Sequence, residues 1–268
     1  MLFFFLFSFS KAATVDTILI YSKSMHKNVK CVVIKPDIYN NNKQFPVVYL
    51  LHGYSGNYAD WVLKALDLLH TVDENKFLVV CPDGAYGSWY FDSPVDTTMK
   101  YETNVAIEIP EYIDAHYKTI AARKARAIAG LSMGGHGALY LAIRHENIFG
   151  AVGSMSGGVD IRPFPDNWDI KKVLGDYATH PGNWNNNTVI NMVDTLHNGA
   201  LKIIFDCGVD DFFLQVNRSL HQKLLDKKID HDYTERPGAH NWEYWNNAVK
   251  YQFLFFREYF IKNNVLSD

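Results

Sequence analysis

Lysine and arginine never gather into a run in these 268 residues, and 26 basic against 29 acidic side chains leave a formal charge of −3. A chain so balanced lacks the electrostatic footprint of a nucleic-acid binder. Cysteine is scarce: Cys31, Cys81 and Cys207 are an odd number, each set in an apolar or strand-like stretch. They form no paired metal spacing, no His-Glu-x-x-His segment accompanies them, and buried free thiols are the reading that remains. Neither a metal nor a cofactor is expected. No internal repeat is present, and no linker is long enough to separate a pair of domains.

Long apolar runs are missing too. The one marked stretch, Met1 to Phe9 with five phenylalanines, falls well short of the roughly 20 residues a membrane span needs. Followed by the small-x-small pattern Ser10-Lys11-Ala12, it reads as the apolar region and cleavage site of a secretory signal peptide or its remnant, although no basic residue precedes it. Residues 1–12 are therefore assigned to a signal peptide or its remnant and 13–268 to a single domain, exported to the periplasm or the medium, with a cytoplasmic enzyme bearing an apolar N-terminus as the alternative, and without stable membrane insertion. Two glycosylation sequons, at Asn186 and Asn217, would matter only after such export.

What is present is a core: 48% hydrophobic residues, in segments that alternate between strand and helix patterns. Strands are expected at 15–21, 29–35, 45–51, 77–81, 125–129, 150–155, 201–206 and 231–235. Helical spacing covers 58–70, with Trp61, Ala65, Leu66 and Leu69 on one stripe, and also 104–117, 135–143, 213–227 and 242–261. Pro110 must lie in a first turn or a kink of the second of these helices. The first two strands form an antiparallel lead-in, and the later alternation predicts a mostly parallel sheet covered on both faces. Residues 157–198, rich in proline and asparagine, read as an irregular excursion over the sheet.

The sharpest motif is Gly130-Leu131-Ser132-Met133-Gly134, between an apolar strand and a helix. It reads as a nucleophile elbow: a serine on a strained turn whose neighbours two residues away must lack bulk, at a helix N-terminus that favours developing negative charge. A serine hydroxyl needs a base, and the base needs a carboxylate. His240, in the loop between the last strand and the last helix, can reach back over the sheet. His70, His116, His145 and His221 fall on helices, while His136 and His52 suit structural roles. The acid is expected between serine and histidine in sequence, the chain order of hydrolases with such an elbow, and Asp206, Asp210 and Asp211 sit at or beyond the 201–206 strand. Asp211 is preferred and Asp210 is the runner-up, each able to serve instead as a helix N-cap. Oxyanion donors would be the main-chain N–H groups of Met133 and Tyr54. Trp89 and Tyr90, in an aromatic loop near that edge, are the candidate substrate-binding residues.

Four stretches carry a resemblance. Gly130 to Leu139, Leu51-His52-Gly53 with Gly56 and Trp61, Cys207 to Phe212, and Gly238-Ala239-His240-Asn241-Trp242 resemble, in that order, the elbow, oxyanion, acid and base loops of the esterase D group of α/β-hydrolases. That group includes tributyrin-type esterases, S-formylglutathione hydrolases, feruloyl and acetyl-xylan esterases, and mycolyltransferases. The likeness runs from about Thr17 to Phe260. It implies an α/β-hydrolase fold, a triad of Ser132, Asp211 and His240, and an oxyanion hole at Tyr54 and Met133. It also implies a serine carboxylesterase acting on a small-molecule or glycan-linked ester. Ser88-Trp89-Tyr90, Asp92-Ser93-Pro94 and Tyr101-Glu102-Thr103 look most like the tributyrin and carbohydrate-esterase branch. Acyl transfer of the mycolyltransferase kind, a thioesterase and a silent carbohydrate-binding protein are the alternatives.

Overall fold

The computed structural model describes residues 12–40 and 42–267; the signal assigned to residues 1–12 thus lies, but for its last residue, outside them. Eight strands form one sheet in the order β1-β2-β4-β3-β5-β6-β7-β8. β1 (Thr14–Ser22) and β2 (Lys27–Lys35) form an antiparallel hairpin, and β2 runs antiparallel to β4. From β3 (Val47–Leu51) and β4 (Leu78–Pro82) through β5 (Arg126–Leu131), β6 (Ala151–Met155) and β7 (Lys202–Gly208) to β8 (Asp232–Arg236), every pairing is parallel. The mostly parallel sheet is what the alternation predicted, and it is the α/β-hydrolase architecture that the resemblance implied.

Strands β3 to β7 are buried on both faces, so their period of two sorts side chains between two cores rather than between core and water. Val47, Tyr49 and Leu51 of β3 join one core; Val48 and Leu50 join the other. The second core is closed by α1 (Asp60–Lys64), α2 (Leu68–Asn75) and α10 (Trp242–Lys262). Phe253, Phe256 and Phe260 form the inner stripe of α10 and are fully buried, worth roughly 1.5–3 kcal/mol each. The first core is closed by α5 (Met133–Arg144), α9 (Leu214–Asp226) and the helical run from α3 (Tyr101–Thr103) to α4 (Ile109–His116).

Three expectations change. The helix expected over 58–70 is two helices, because Ala65 leaves the helical region (φ −94°, ψ 89°). Leu66, assigned to the apolar stripe, is 84% exposed, and Leu68 takes its place in the core. The strand expected from Phe45 begins at Val47, since Pro46 has no N–H for a ladder; Phe45 keeps a single parallel bridge to Thr119. Pro110 lies, as expected, in a first turn: it is the second residue of α4. A π-helical turn at Asn104–Glu108 precedes it, absorbing the hydrogen bond that proline cannot make.

The excursion holds three short helices, α6 (Ile170–Leu174), α7 (Pro181–Asn186) and α8 (Val189–Met192). Val159, Ile161, Ile170, Leu174, Trp184 and Val189 are fully buried in the first core, so it packs as part of the main body. Of the two sequons, Asn186 is exposed on α7, whereas Asn217 is buried. Its side-chain amide donates to the carbonyls of Gly157 and Phe213, which leaves no room for a glycan on the folded chain. Among the described residues no helix is long and apolar enough to cross a membrane.

Glu102 ties α3 to α5. Its carboxylate accepts hydrogen bonds from Tyr140 (2.5 Å), Arg144 (2.7 Å) and His145 (3.0 Å). Burial alone would raise its pKa, but the bonds from His145, Tyr140 and Arg144 outweigh that and hold it down at about 2, against an ordinary value of 4.5. A depressed folded-state pKa means stability that is complete above pH 4.5 and lost as pH falls towards 2. Thermal melts between pH 5 and 2 should therefore show a fall in Tm across that window, and Glu102→Gln should be less stable at pH 6 and show a shallower fall.

Candidate active site

Ser132 follows β5 directly and caps α5, with φ 54° and ψ −117°. That backbone is rare for a residue with a side chain and persists only where the surroundings over-determine it. Here they do. The Ser132 N–H donates to the Met155 carbonyl (2.9 Å), and the His136 N–H donates to the Ser132 carbonyl (3.0 Å). A Cβ on Gly130 would strike the main chain of Gly134, and one on Gly134 would lie 2.5 Å from the His52 carbonyl oxygen. Both glycines are thus required by the close approach of strand, turn and helix.

His240 arrives from the loop between β8 and α10. The loops carrying it and the acid are zipped together: the Val209 N–H donates to the Arg236 carbonyl, and the Asp210 N–H donates to the Gly238 carbonyl, both at 2.9 Å. Gly238 makes its turn at φ 134°, and Asn241 caps α10 through the Tyr244 N–H. The imidazole is boxed by Phe212 (ring centroids 4.2 Å apart), Phe213 (5.4 Å) and Trp245 (4.9 Å, nearly perpendicular), which fixes its rotamer.

Its Nε2 lies 2.8 Å from Ser132 Oγ and its Nδ1 lies 2.8 Å from Asp211 Oδ2. The carboxylate sets the tautomer: Nδ1–H donates to Asp211, so Nε2 is the acceptor facing the serine hydroxyl. Asp211 is buried, and its other oxygen accepts the Phe213 N–H at 2.8 Å. The two other acids considered are elsewhere. Asp210 is exposed. Asp206 is fully buried but faces the Tyr244 hydroxyl (2.8 Å) and the Gln252 amide (2.8 Å), and burial pushes its pKa up.

A cleft of about 250 Å³ opens at this group, smaller than two cavities of about 550 and 1010 Å³ that lie away from Ser132. One wall is polar: Tyr54, Ser55 and Gly56 of the loop after β3, with Asp60 and Lys64 of α1. The other is aromatic: Trp168, Phe212, Trp242 and Trp245. Among the hydrogen bonds of the described residues, none takes the main-chain N–H of Tyr54 or of Met133.

Trp89 and Tyr90 do not line the cleft; both are buried, which corrects their reading as substrate-binding residues. They brace it from behind. The Tyr90 hydroxyl donates to the His52 carbonyl (3.0 Å), and the Trp89 indole N–H donates to the Trp168 carbonyl (3.1 Å). The sequence contains 39 aromatics without marking which lie at a rim, since exposure depends on where the excursion lands. Trp242 and Phe212 adjoin the base and acid motifs, and that adjacency was the available signal. His52 is structural: its Nδ1–H donates to the Gly53 carbonyl and its Nε2 accepts the Gly84 N–H, each at 2.8 Å. His136, buried beneath the elbow, donates from Nε2 to the Asn187 carbonyl, and burial lowers its pKa to about 4.

The family model described as "Putative esterase" matches residues 22–256. The chain belongs to this esterase family. It is 29% identical over 251 residues to an acetyl esterase of Caldicellulosiruptor saccharolyticus, spanning 85% of this chain and 92% of that one. It is 28% identical over 254 residues to the diacylglycerol acyltransferase/mycolyltransferase Ag85A of Mycobacterium leprae, spanning 81% of this chain and 76% of the relative. Among solved structures, a ferulic acid esterase superposes with a TM-score of 0.80 at 28% identity, covering 93% of this chain and 99% of that one.

Proposed function

We propose that this esterase-family chain is a serine carboxylesterase that cleaves short-chain or aromatic acyl esters, including esters on carbohydrate, through an acyl-enzyme. The observation that carries the reading is the unbroken relay from Ser132 Oγ through His240 to Asp211, with 2.8 Å at both steps. Ser132 Oγ attacks the ester carbonyl while His240 Nε2 takes its proton. Asp211 keeps the imidazole in register and stabilises its cation. The tetrahedral oxyanion forms against the N–H groups of Met133 and Tyr54, a donor pair worth about 3 kcal/mol of barrier each. His240 then protonates the departing alkoxide, the alcohol leaves, and water enters by the same route in reverse to release the acid.

The aromatic wall of Trp168 and Phe212 suits a flat or small acyl group, in keeping with the acetyl and ferulic acid esterases the chain resembles. A second reading rests on the likeness to Ag85A: the acyl group passes to an alcohol rather than to water. The same relay serves both, and product partitioning with added sugars separates them.

The experiment is covalent trapping. Purified protein mixed with p-nitrophenyl acetate should release a burst of nitrophenol close to one equivalent, and a fluorophosphonate should label one residue. Peptide mapping should place the label on Ser132. Label elsewhere, or none, would reject the proposal.

A further inference from the structure

The loop that carries the Tyr54 N–H is held at its tip by the excursion, 115 residues away. The Tyr54 phenol donates to Asp169 Oδ2 at 3.0 Å. Asp169 reaches that position from an unusual turn, in which Trp168 (φ 50°) and Asp169 (φ 56°) are both left-handed without being glycine. Such a pair is strained and needs external support. The Trp89 indole supplies it by donating to the Trp168 carbonyl (3.1 Å). The turn thereby sets two things at once: the Asp169 carboxylate on the oxyanion loop, and the Trp168 ring in the cleft wall, stacked on Phe212 at 5.6 Å and 18°. Ser55, next after Tyr54, is left-handed as well (φ 63°), and its N–H donates to the Tyr86 carbonyl at 2.7 Å. Between these two ties the peptide of Tyr54 has little freedom to turn.

We propose that Asp169 is a positioning residue for ester hydrolysis: by holding the Tyr54 phenol it aims the Tyr54 N–H at the oxyanion and couples that aim to the placement of Trp168. The inference rests on the serine-esterase reading and adds a role that the relay itself does not require. Asp169 touches neither serine nor imidazole. Its second oxygen pairs with Lys172 at 3.0 Å, an exposed contact of the kind that contributes little.

The test compares variants on p-nitrophenyl acetate, with inhibition by a trifluoromethyl ketone as a report on the oxyanion site. Asp169→Ala and Tyr54→Phe should each lower kcat about tenfold with KM altered less than about twofold, since misaim is felt in the transition state. Asp169→Asn, whose amide oxygen still accepts the phenol and whose backbone tolerates the left-handed turn, should stay within about threefold of wild type. Joining Asp169→Ala to Tyr54→Phe should cost no more than either alone, because both remove one contact. The ketone's inhibition constant should rise in step with the fall in kcat/KM. Lys172→Met should leave kcat unchanged.

Wild-type kcat in folded Tyr54→Phe and Asp169→Ala overturns the proposal. So does an equal loss in Asp169→Asn and Asp169→Ala, or a loss with unchanged ketone affinity. Ester hydrolysis within about tenfold of wild type in Ser132→Ala rejects the underlying reading instead, which keeps the two failures apart.

Discussion

Ser132→Ala should lower kcat on p-nitrophenyl acetate by roughly 10⁵- to 10⁶-fold. The size follows from what is removed. Ser132 Oγ is the one nucleophile placed 2.8 Å from the accepting nitrogen of His240, and the neighbours that make it reactive are useless without it. The cleft, the aromatic wall and the Met133 and Tyr54 donors remain, so a residual acceleration of about 10³ over water is expected. Folding should be unaffected or improved. The hydroxyl accepts no hydrogen bond that the core depends on, and the strain at φ 54° is carried by the backbone whichever small side chain is present. The check is a steady-state rate measured beside a thermal melt. A loss below about tenfold with an unchanged Tm would mean that the hydrolytic nucleophile lies elsewhere.

The elements behind this expectation were legible to different degrees. The elbow was plain from Gly130 and Gly134, because the close approach of strand, turn and helix tolerates no other residue there, so the constraint is written locally. His240 and Asp211 were narrowed by strand order, since in a parallel sheet functional loops gather at the carboxyl ends. Asp211 was preferred for its place in the loop before the next helix, but Asp210 stayed as runner-up: which carboxylate turns inward depends on the zipper between the loops at 209–210 and 236–238, a long-range pairing. The cleft wall was missed for the same kind of reason. Trp89 is next to a plausible rim in sequence but buried in fact, while Trp168 reaches the cleft from a turn whose two left-handed residues carry no glycine signature. The break at Ala65 was hidden because helical spacing continued through it, and Leu66 satisfied the apolar stripe while pointing into solvent.

Asp211→Asn should cost about 10⁴-fold in kcat, close to 5 kcal/mol of barrier, although it changes one atom. The geometry explains why so small a change is severe. Asp211 Oδ1 accepts the Phe213 N–H at 2.8 Å, and Oδ2 accepts the imidazole Nδ1–H at 2.8 Å, so both oxygens are in use. An asparagine has one carbonyl oxygen. The buried Phe213 N–H claims it, since an unsatisfied buried donor is costly, and the NH₂ group is left facing His240. The imidazole then moves its proton to Nε2 to offer Nδ1 as acceptor. Nε2–H now points at Ser132 Oγ and has no lone pair to receive the serine proton. The charge that would stabilise the imidazolium is gone as well. Asp210→Asn, an exposed position engaged only through its main chain, should remain within about twofold of wild type. A downfield Nδ1 proton resonance should be present in the wild type and in Asp210→Asn, and absent in Asp211→Asn. Comparable losses in both variants, or that resonance persisting in Asp211→Asn, would show that the carboxylate acting on His240 is not Asp211.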